Sequence, residues 1–498
     1  MTRRIAALVL ALLAMQARAA NQGFFLPAGD ARLRDDLTLL VDQGIINLPV
    51  NEWPLPRADV AQAIAGVKDE DLQDPALRAV LARVRAASAQ PQDAAAWKIR
   101  EVRAAAGQPA LLRDFGTPAR ENGELTSIGG ASTDRYSITV AATGVVDPSD
   151  GQHLRFDGSD ISIRWGNWLL GLGETDRWWG PGHDGSLILS TNARPMPSIS
   201  LDRVRSLPFD IPVLRWLGPW RFTWFFGLGE QHRADTDQPL FMGMRLSFKP
   251  ASWLEFAASR SAQFCGKGRE CNIDTFGRML IGQDNRGIRG LSSNPAKEPG
   301  NQMAGFEARV VSPFKPLPVA LYAQEIGEDN SSTGIPERYL GLFGGELWFA
   351  LESGSVLRAH VEYANTKVKW YNGEDEFNVA YRQAIFFAGY RYRGRNIGDT
   401  TDADSETTSL GMSLTSREGD RWSLLYRHGA LDRDGSVDPY NTITAGRSQY
   451  KSMQLDWDGR LSADNGLALQ LGYERQSPSS AGNARGLFGF IQWRRQLR

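Results

Sequence analysis

The sequence predicts an all-β transmembrane barrel of about 18 antiparallel strands, preceded by an N-terminal α-helical bundle or plug. Three observations support this fold class. The apolar residues repeat at a helical period up to about residue 115 and at a period of two from residue 116 onward. The later segment has about 380 residues, which at roughly 21 residues per strand and loop supply about 18 strands. The chain is also rich in glycine (51 of 498 residues) and tryptophan (15), which suits tight turns and an aromatic surface.

The composition excludes several other classes of protein. A chain that is 42% hydrophobic and 23% charged is neither disordered nor collagen-like. A formal net charge of -1 argues against a general nucleic-acid-binding protein, so we expect no nucleic-acid partner. No later segment offers about 18 consecutive apolar residues, which excludes an inner-membrane helical transporter. A mature chain that crosses a membrane must therefore do so as a closed barrel.

The first 19 residues have the pattern of an export signal. Arg3 and Arg4 precede an apolar run from Ile5 to Met15, and Ala17-Arg18-Ala19 has the small-x-small form that signal peptidase cleaves. The apolar run is shorter than the roughly 20 residues of a membrane-spanning helix. We therefore predict a signal peptide over residues 1–19 and an exported, mildly acidic mature chain.

Residues 20–115 are predicted to form a periplasmic helical region. Apolar residues at helical spacing predict one helix after Asp30, a second after Pro56 and a third that begins at Asp74-Pro75. A fourth helix is predicted from about Gln92 to Ala106, around Trp97. Because the apolar stripes of these helices are thin, the region needs a larger body to pack against.

Residues 116–498 are predicted to form the barrel. From Leu357 to Tyr363 the odd positions are apolar and the even positions are charged or imidazole, so the two faces of one strand meet different environments. The same alternation occurs in residues 161–165, 220–228, 453–457 and 467–473. A soluble sandwich also alternates in this way, but about 380 residues without a domain break are long for one sandwich. The length therefore favours the barrel.

The densest motif lies between Leu172 and Arg203. It reads Glu174-Thr175-Asp176-Arg177-Trp178-Trp179-Gly180-Pro181-Gly182-His183 and then Ser190-Thr191-Asn192-Ala193-Arg194-Pro195-Met196-Pro197-Ser198. Together with the runs at 29–37, 44–46 and 52–56, this motif resembles the signature of the Wzi capsule assembly family. Members of that family are outer-membrane proteins that hold capsular polysaccharide at the cell surface. The resemblance implies an 18-stranded barrel, a periplasmic helical bundle and an outward-facing surface that binds glycan.

Six side chains of the motif are candidates for the site, and two interpretations of them stay open. Tryptophan faces stack on sugar rings, and the polar side chains bind hydroxyls or carboxylates. Alternatively, Gly180-Pro181-Gly182 turns the chain and the same side chains pack and pair inside the lumen. The glycan-binding or lumen-structural candidates are Asp176, Arg177, Trp178, Trp179, Asn192 and Arg194.

Other chemical motifs are sparse. Cys265 and Cys271 enclose a short loop, and in an exported chain they predict a local disulfide. The five histidines lack the paired spacing of a zinc site, so we expect no metal and no cofactor. No Gly-x-Ser-x-Gly elbow and no identifiable acid/base pair occur, so we expect no enzymatic activity.

These observations predict an outer-membrane lectin of a Gram-negative bacterium. It would bind exported capsular polysaccharide or exopolysaccharide and attach or organise it at the cell surface. Its expected partners are that polysaccharide, outer-membrane lipid and the polysaccharide export machinery. One alternative is a porin or oligosaccharide channel with a helical plug, which predicts ion conductance. A second is a glycan-modifying enzyme, for which Glu174 and Asp176 would be the first candidates.

Overall fold

The computed structural model describes most of the chain, including the whole predicted helical region except its first residues and one short gap. The described residues are 23–89, 94–117, 119–280, 300–314, 317–330, 336–373, 376–383, 385–477 and 486–497. The predicted signal peptide, residues 1–19, lies outside them. No helix in these ranges is both long and apolar enough to span a membrane.

Eighteen antiparallel strands of the described chain close into a barrel, which confirms the predicted fold class. The fourth strand has two parts, and both of them pair with the third strand. The last strand pairs with the first, so the sheet has no free edge. The strands are β1 (Ala94–Gln108), β2 (Gly123–Ser132), β3 (Tyr136–Val145), β4 (Leu154–Arg155 and Asp160–Trp165), β5 (Trp168–Gly173), β6 (Ser198–Arg203), β7 (Trp220–Leu228), β8 (Leu240–Ala251), β9 (Leu254–Phe264), β10 (Gly300–Val311), β11 (Val319–Asn330), β12 (Pro336–Ala350), β13 (Val356–Asn365), β14 (Glu406–Thr415), β15 (Arg421–Leu431), β16 (Ser448–Arg460), β17 (Asn465–Ser477) and β18 (Leu487–Gln496).

The strands place apolar residues outward and polar residues inward. On β14, Leu410 is 51% exposed, whereas its neighbour Ser409 is only 3% exposed. The same alternation continues along the whole strand. A soluble sandwich has the opposite arrangement, with its apolar face buried. The outer surface is therefore suited to lipid, and the lumen is polar.

The two ends of the barrel differ in the length of their connections. At one end, residues 166–167, 252–253 and 416–420 form short turns. At the other end, residues 174–197 and 366–405 form long connections. In outer-membrane barrels the short turns face the periplasm and the long loops face outward. We therefore assign the short-turn end to the periplasm and the long-loop end to the cell surface.

Three of the four predicted N-terminal helices are present: α1 (Ala31–Asp42), α2 (Arg57–Ile64) and α3 (Pro75–Ser88). Asp30 caps α1 by accepting a hydrogen bond from the backbone N–H of Leu33 (2.9 Å), and Asp74 caps α3 ahead of a proline. The helices bury a common apolar core that also contains barrel residues. They lie at the short-turn end, where the Arg32 side chain donates to the carbonyl of Gly419 (2.8 Å).

The prediction of a fourth helix from about Gln92 to Ala106 is wrong. From Ala94 onward this segment is the strand β1, which pairs with β2 and β18. Its alanines favour a helix locally, but strand pairing on both sides determines its conformation. In the described chain the barrel wall thus begins at Ala94, ahead of the predicted start at residue 116, and residues 109–117 and 119–122 follow β1 into the lumen.

A fourth helix lies elsewhere, in the connection that follows β9. This helix, α4 (Ile273–Leu280), comes directly after the loop in which Cys265 and Cys271 are bonded to each other. Three short two-stranded sheets lie outside the barrel wall in the described chain: Phe25–Leu26 with Leu55–Pro56, Glu52–Trp53 with Trp178–Trp179, and Arg391–Tyr392 with Arg395–Asn396. Turns of 3-10 helix lie at Asp69–Asp71, Arg215–Leu217 and Trp370–Asn372.

The lipid-facing assignment of the outer surface is testable with Leu410→Arg at the centre of β14. We expect this variant to lose about 2–4 kcal/mol of folding free energy in phospholipid vesicles, because a guanidinium in the bilayer midplane loses its hydration. Urea titration in vesicles measures the loss. Val437→Arg, in the exposed connection 432–447, is the matched control, and equal stability of the two variants would contradict the assignment.

Candidate functional site

The connection 174–197 enters the lumen from the long-loop end and meets the N-terminal region there. Trp178–Trp179 pairs antiparallel with Glu52–Trp53. The backbone N–H of Gly180 then donates to the carbonyl of Asn51 (3.0 Å). The most distinctive motif of the sequence therefore joins two parts of the chain inside the barrel.

Trp178 belongs to the apolar core of the helical region. It is buried, and its ring lies edge-on to Phe115 (centroids 5.4 Å apart), which in turn contacts Trp53 (5.5 Å). Arg34 of α1 covers the Phe115 ring and donates to the carbonyls of Pro181 (2.9 Å) and Gly182 (2.8 Å). The faces of Trp178 are thus occupied by protein.

Arg177 and Trp179 contact the barrel wall. Arg177 donates to both carboxylate oxygens of Asp202 on β6 (3.0 and 3.3 Å). Trp179 is buried against Phe225 of β7, with ring centroids 5.6 Å apart. The Arg177 guanidinium lies over the same Phe225 ring, 5.0 Å from its centroid. These contacts attach the motif to one side of the wall.

Asn192 is buried, and its amide group bonds to the connection 366–405. It donates to the carbonyl of Asn396 (2.9 Å) and accepts hydrogen bonds from Arg395 (2.9 and 3.1 Å). This contact joins two long connections inside the barrel.

Asp176 and Arg194 are partly buried and take part in ion pairs. Asp176 pairs with Arg120 (2.7 Å), and Arg194 pairs with Asp157 (2.7 Å) and Asp150 (2.5 Å). All six candidates therefore have protein partners, and they lie along one connection without forming a shared open cleft.

Glu174, the other acidic candidate, lies directly after β5. Its backbone N–H donates to the carbonyl of Ser159 (2.8 Å). Burial and the neighbouring carboxylate of Asp157 raise the pKa of Glu174 to about 7. Within the described ranges, no group of three or more His, Cys, Asp or Glu side chains is placed to hold a metal ion.

Sequence reasoning missed a buried ionic cluster that joins α1 to the barrel wall. Arg309 of β10 donates to both carboxylate oxygens of Asp42 in α1 (2.6 and 2.8 Å) and to Glu346 of β12 (2.6 and 2.9 Å). Arg358 of β13 also donates to Glu346. Alternation placed Arg358 on a polar face, but it gave no sign of which residue on α1 these charges meet.

His183 links this cluster to the connection 174–197. Its Nε2 lies 3.1 Å from a carboxylate oxygen of Glu346, and its ring stacks on His360 with centroids 4.3 Å apart. Glu362 accepts hydrogen bonds from the backbone N–H of His183 and of Gly185 (both 2.8 Å). Burial lowers the pKa of the His183 imidazole, which favours the uncharged ring. The loop is thereby fixed against β12 and β13.

An ion pair and several hydrogen bonds join the long connections to one another. Arg391 donates to both carboxylate oxygens of Asp402 (2.8 Å each) and to Asp438 in the connection 432–447 (2.8 Å). Arg233, from the connection 229–239, donates to the carbonyls of Gly389 (3.0 Å) and Arg391 (2.7 Å). The long-loop end is therefore held together by bonds between three connections.

Two of these connections place aromatic and cationic side chains at the surface. Phe387 is 49% exposed and its ring lies 6.0 Å from that of Tyr440. The hydroxyl of Thr442 donates to the carbonyl of Gly394 (2.6 Å), next to the partly exposed Arg393. We call Phe387, Arg393, Tyr440 and Thr442 the outer rim. No sequence pattern indicated it, because its members lie on separate connections.

A family model described as capsule assembly protein Wzi matches residues 97–483. The chain belongs to the Wzi capsule assembly family. It is 26% identical over 485 residues to an uncharacterised 55.8 kDa protein of the cps region of Klebsiella pneumoniae, covering 95% of this chain and 89% of that protein. A solved Escherichia coli structure is described as Wzi, a carbohydrate-binding β-barrel of the outer membrane involved in group 1 capsule assembly. It matches with a TM-score of 0.81 at 24% identity, covering 94% of this chain and 98% of the other.

The family and the barrel fold together establish the location of this Wzi family member. It is an outer-membrane protein of a Gram-negative bacterium. With the short-turn end assigned to the periplasm, the outer rim belongs to the end that is assigned to the cell surface.

The ionic cluster predicts a large effect for Asp42→Asn. Because the variant leaves the buried Arg309 with one carboxylate partner where it had two, we expect a loss of about 3–5 kcal/mol. Thermal unfolding and protease cleavage of α1–α3 in the detergent-solubilised protein measure it. Asp69→Asn is the matched control, since the Asp69–Arg85 pair is solvent-exposed and contributes less than about 1 kcal/mol. Equal losses for the two variants would contradict the conclusion that the ionic cluster holds the helical region in the barrel.

Proposed function

We propose that this Wzi family member binds exported capsular polysaccharide or exopolysaccharide at the cell surface and attaches or organises it there. The family's role in capsule assembly and the similarity to a carbohydrate-binding barrel support this proposal. The outer rim is the observation that carries it, because it presents aromatic and cationic groups at the end that faces outward.

The chemistry of the outer rim suits a polysaccharide. The rings of Phe387 and Tyr440 offer apolar faces to sugar rings, and Arg393 offers donors to carboxylates or hydroxyls. The ion pair of Arg391 with Asp438 joins the two connections, and Arg233 donates to backbone carbonyls of one of them, so binding requires little ordering of the protein. A repeating polymer contacts many copies of a weak site, and this multivalency strengthens its retention.

The six motif residues have a structural role in this proposal. Their buried or ion-paired side chains hold the connection 174–197 inside the lumen and thereby support the connections of the outer rim. Asp176, Arg177, Trp178, Trp179, Asn192 and Arg194 then contribute to glycan binding only through the loops that they position.

The same contacts argue against the channel alternative. The ionic cluster joins α1 to β10, β12 and β13 on one side of the lumen, and the connection 174–197, held by His183 and by Arg120, covers the lumen on its outward side. We therefore expect no porin-like conductance in planar bilayers. We also expect no catalytic step. We propose that any contact with the export machinery involves the periplasmic helical region.

Substitution of the outer rim tests the proposal. We expect the double variant Phe387→Ala/Tyr440→Ala to retain about tenfold less purified capsular polysaccharide, because it loses two stacking faces. Sedimentation of the detergent-solubilised protein with labelled polymer measures retention.

Phe314→Ala is the matched control for this experiment. Phe314 is 72% exposed, but it lies in a turn at the periplasmic end. We expect this variant to retain as much polymer as the unmodified protein. Equal retention by the rim variant and the unmodified protein would refute the assignment of the site.

A further inference from the structure

A cavity of about 800 Å³ lies in the lumen beside the helical region. It is bounded by the start of α1, by the inner faces of β1–β4 and β13–β18, and by the connection 109–122. At the periplasmic end it extends to Gly23 and to the turn 462–465. Its volume falls within the roughly 300–1,000 Å³ that is typical of ligand sites.

The cavity is covered on its outward side by residues 109–117 and 119–122. Arg120 donates to the carbonyls of Thr191 (2.8 Å) and Asn192 (3.0 Å) and pairs with Asp176 (2.7 Å). This cover separates the cavity from the outer rim. A ligand in the cavity would therefore enter from the periplasm.

The lining of the cavity offers many hydrogen-bond donors and acceptors. Hydroxyl groups and side-chain amides lie on the inner faces of the strands, and several of them bond to neighbouring side chains, as Gln454 and Gln470 do to Asp456. Such groups match the hydroxyl groups of a sugar. The residues concerned include Thr126, Thr139, Ser423, Gln454, Gln470 and Gln492.

Four arginines that line the cavity have no carboxylate within ion-pair distance among the described residues: Arg34, Arg100, Arg113 and Arg460, of which Arg460 is solvent-exposed. Arg34 and Arg113 bond to backbone carbonyls. Arg100 is only 4% exposed, and both its Nε and its Nη2 have no hydrogen-bond partner. The Asp160 carboxylate also lines the cavity and attracts the Arg100 guanidinium electrostatically, but it lies beyond ion-pair distance and accepts a hydrogen bond from Ser162 (2.9 Å).

A buried guanidinium without an acceptor is unfavourable, because its lost hydration is not replaced. A ligand carboxylate would replace that hydration with charge-assisted hydrogen bonds. Other arginines of the same cavity already have such acceptors, as in the pairs of Arg155 with Glu121 and Asp150. Arg100 is therefore the side chain in this cavity best suited to recognise an anionic group.

We propose that the cavity is a second glycan site, which takes a short carboxylate-bearing oligosaccharide from the periplasm and binds a carboxylate through Arg100. The inference rests on the proposed function, from which it takes the class of ligand. The new site lies on the periplasmic side of the cover, whereas the outer rim lies on the outward side. The hydroxyl and amide groups of the lining bind the sugar hydroxyls, and Arg113 offers a second cation at the cover.

An introduced thiol reports occupancy of the cavity directly. Cys265 and Cys271 are bonded to each other, so Thr126→Cys adds a reactive thiol in the cavity lining. The full-length variant in detergent is labelled with a maleimide in the presence of a hexuronic acid tetramer or its carboxyl-reduced, neutral counterpart. We expect the acidic tetramer to slow labelling about tenfold and the neutral tetramer to have little effect.

Variants of Arg100 test the role of its charge. We expect Arg100→Gln to raise the tetramer concentration needed for protection about tenfold, and Arg100→Lys to preserve most of the protection. Arg103→Gln is the matched control on β1, because Arg103 already has a carboxylate partner in Glu101 (2.5 Å). Heat-shifted migration in gels verifies that each barrel is folded. Equal losses for Arg100→Gln and Arg103→Gln would overturn the assignment to Arg100.

A second thiol, Ser436→Cys in the connection 432–447 near the outer rim, distinguishes this proposal from the proposed function. If the acidic tetramer protects this thiol and leaves that of Thr126→Cys unprotected, the cavity site is overturned while the outer rim remains supported. If both tetramers protect Thr126→Cys equally, recognition of a carboxylate is overturned. The rim variant Phe387→Ala/Tyr440→Ala should lose polymer retention and keep full protection of Thr126→Cys.

Discussion

The buried ion pairs of Arg309 with Asp42 and Glu346 are the interaction on which the rest of the structure depends. A barrel that faces lipid outside must have a polar interior, and polar groups shielded from water need partners. The strands alone do not provide all of these partners. The helix α1 supplies Asp42, so the N-terminal region completes the interior of the barrel.

The same constraint explains why the connection 174–197 folds inward. Once α1 lies in the barrel, the pairing of Trp178–Trp179 with Glu52–Trp53 and the contact of His183 with Glu346 give that connection a fixed place. The outer loops then pack on this inward-folded connection instead of around an open channel. The outer rim is consequently a prearranged surface, which is the property that a site for a large, flexible polymer needs.

The sequence predicts well those features that depend on local patterns. Alternation along strands such as β14 indicates the barrel, and the caps at Asp30 and Asp74 mark two helices correctly. The prediction failed at β1, because its alanine-rich sequence has a helical preference and its strand conformation depends on pairing with β18 near the other end of the chain. Local sequence patterns do not indicate which distant strand a segment will pair with.

The candidate site shows the same limit. The motif identified side chains that hold the connection 174–197 in the lumen. Their roles depend on partners elsewhere in the chain, such as Asp202 for Arg177 and Asn396 for Asn192. The aromatic pair of the outer rim joins Phe387 and Tyr440, which belong to different connections. Only the fold brings such groups together.

The lumen is asymmetric, and this asymmetry follows from where the plug is anchored. On the side of β10, β12 and β13, arginines and carboxylates pair with α1 and leave little space. The cavity with Arg100 lies on the side of β1–β4 and β15–β18, where the helical region bonds to the wall through the pair of Asp35 with Arg421. Because the paired side stabilises the plug, the other side is free to keep a buried cation without a protein acceptor. If the plug were anchored evenly around the wall, the barrel would have no such cavity and no arginine without a protein acceptor.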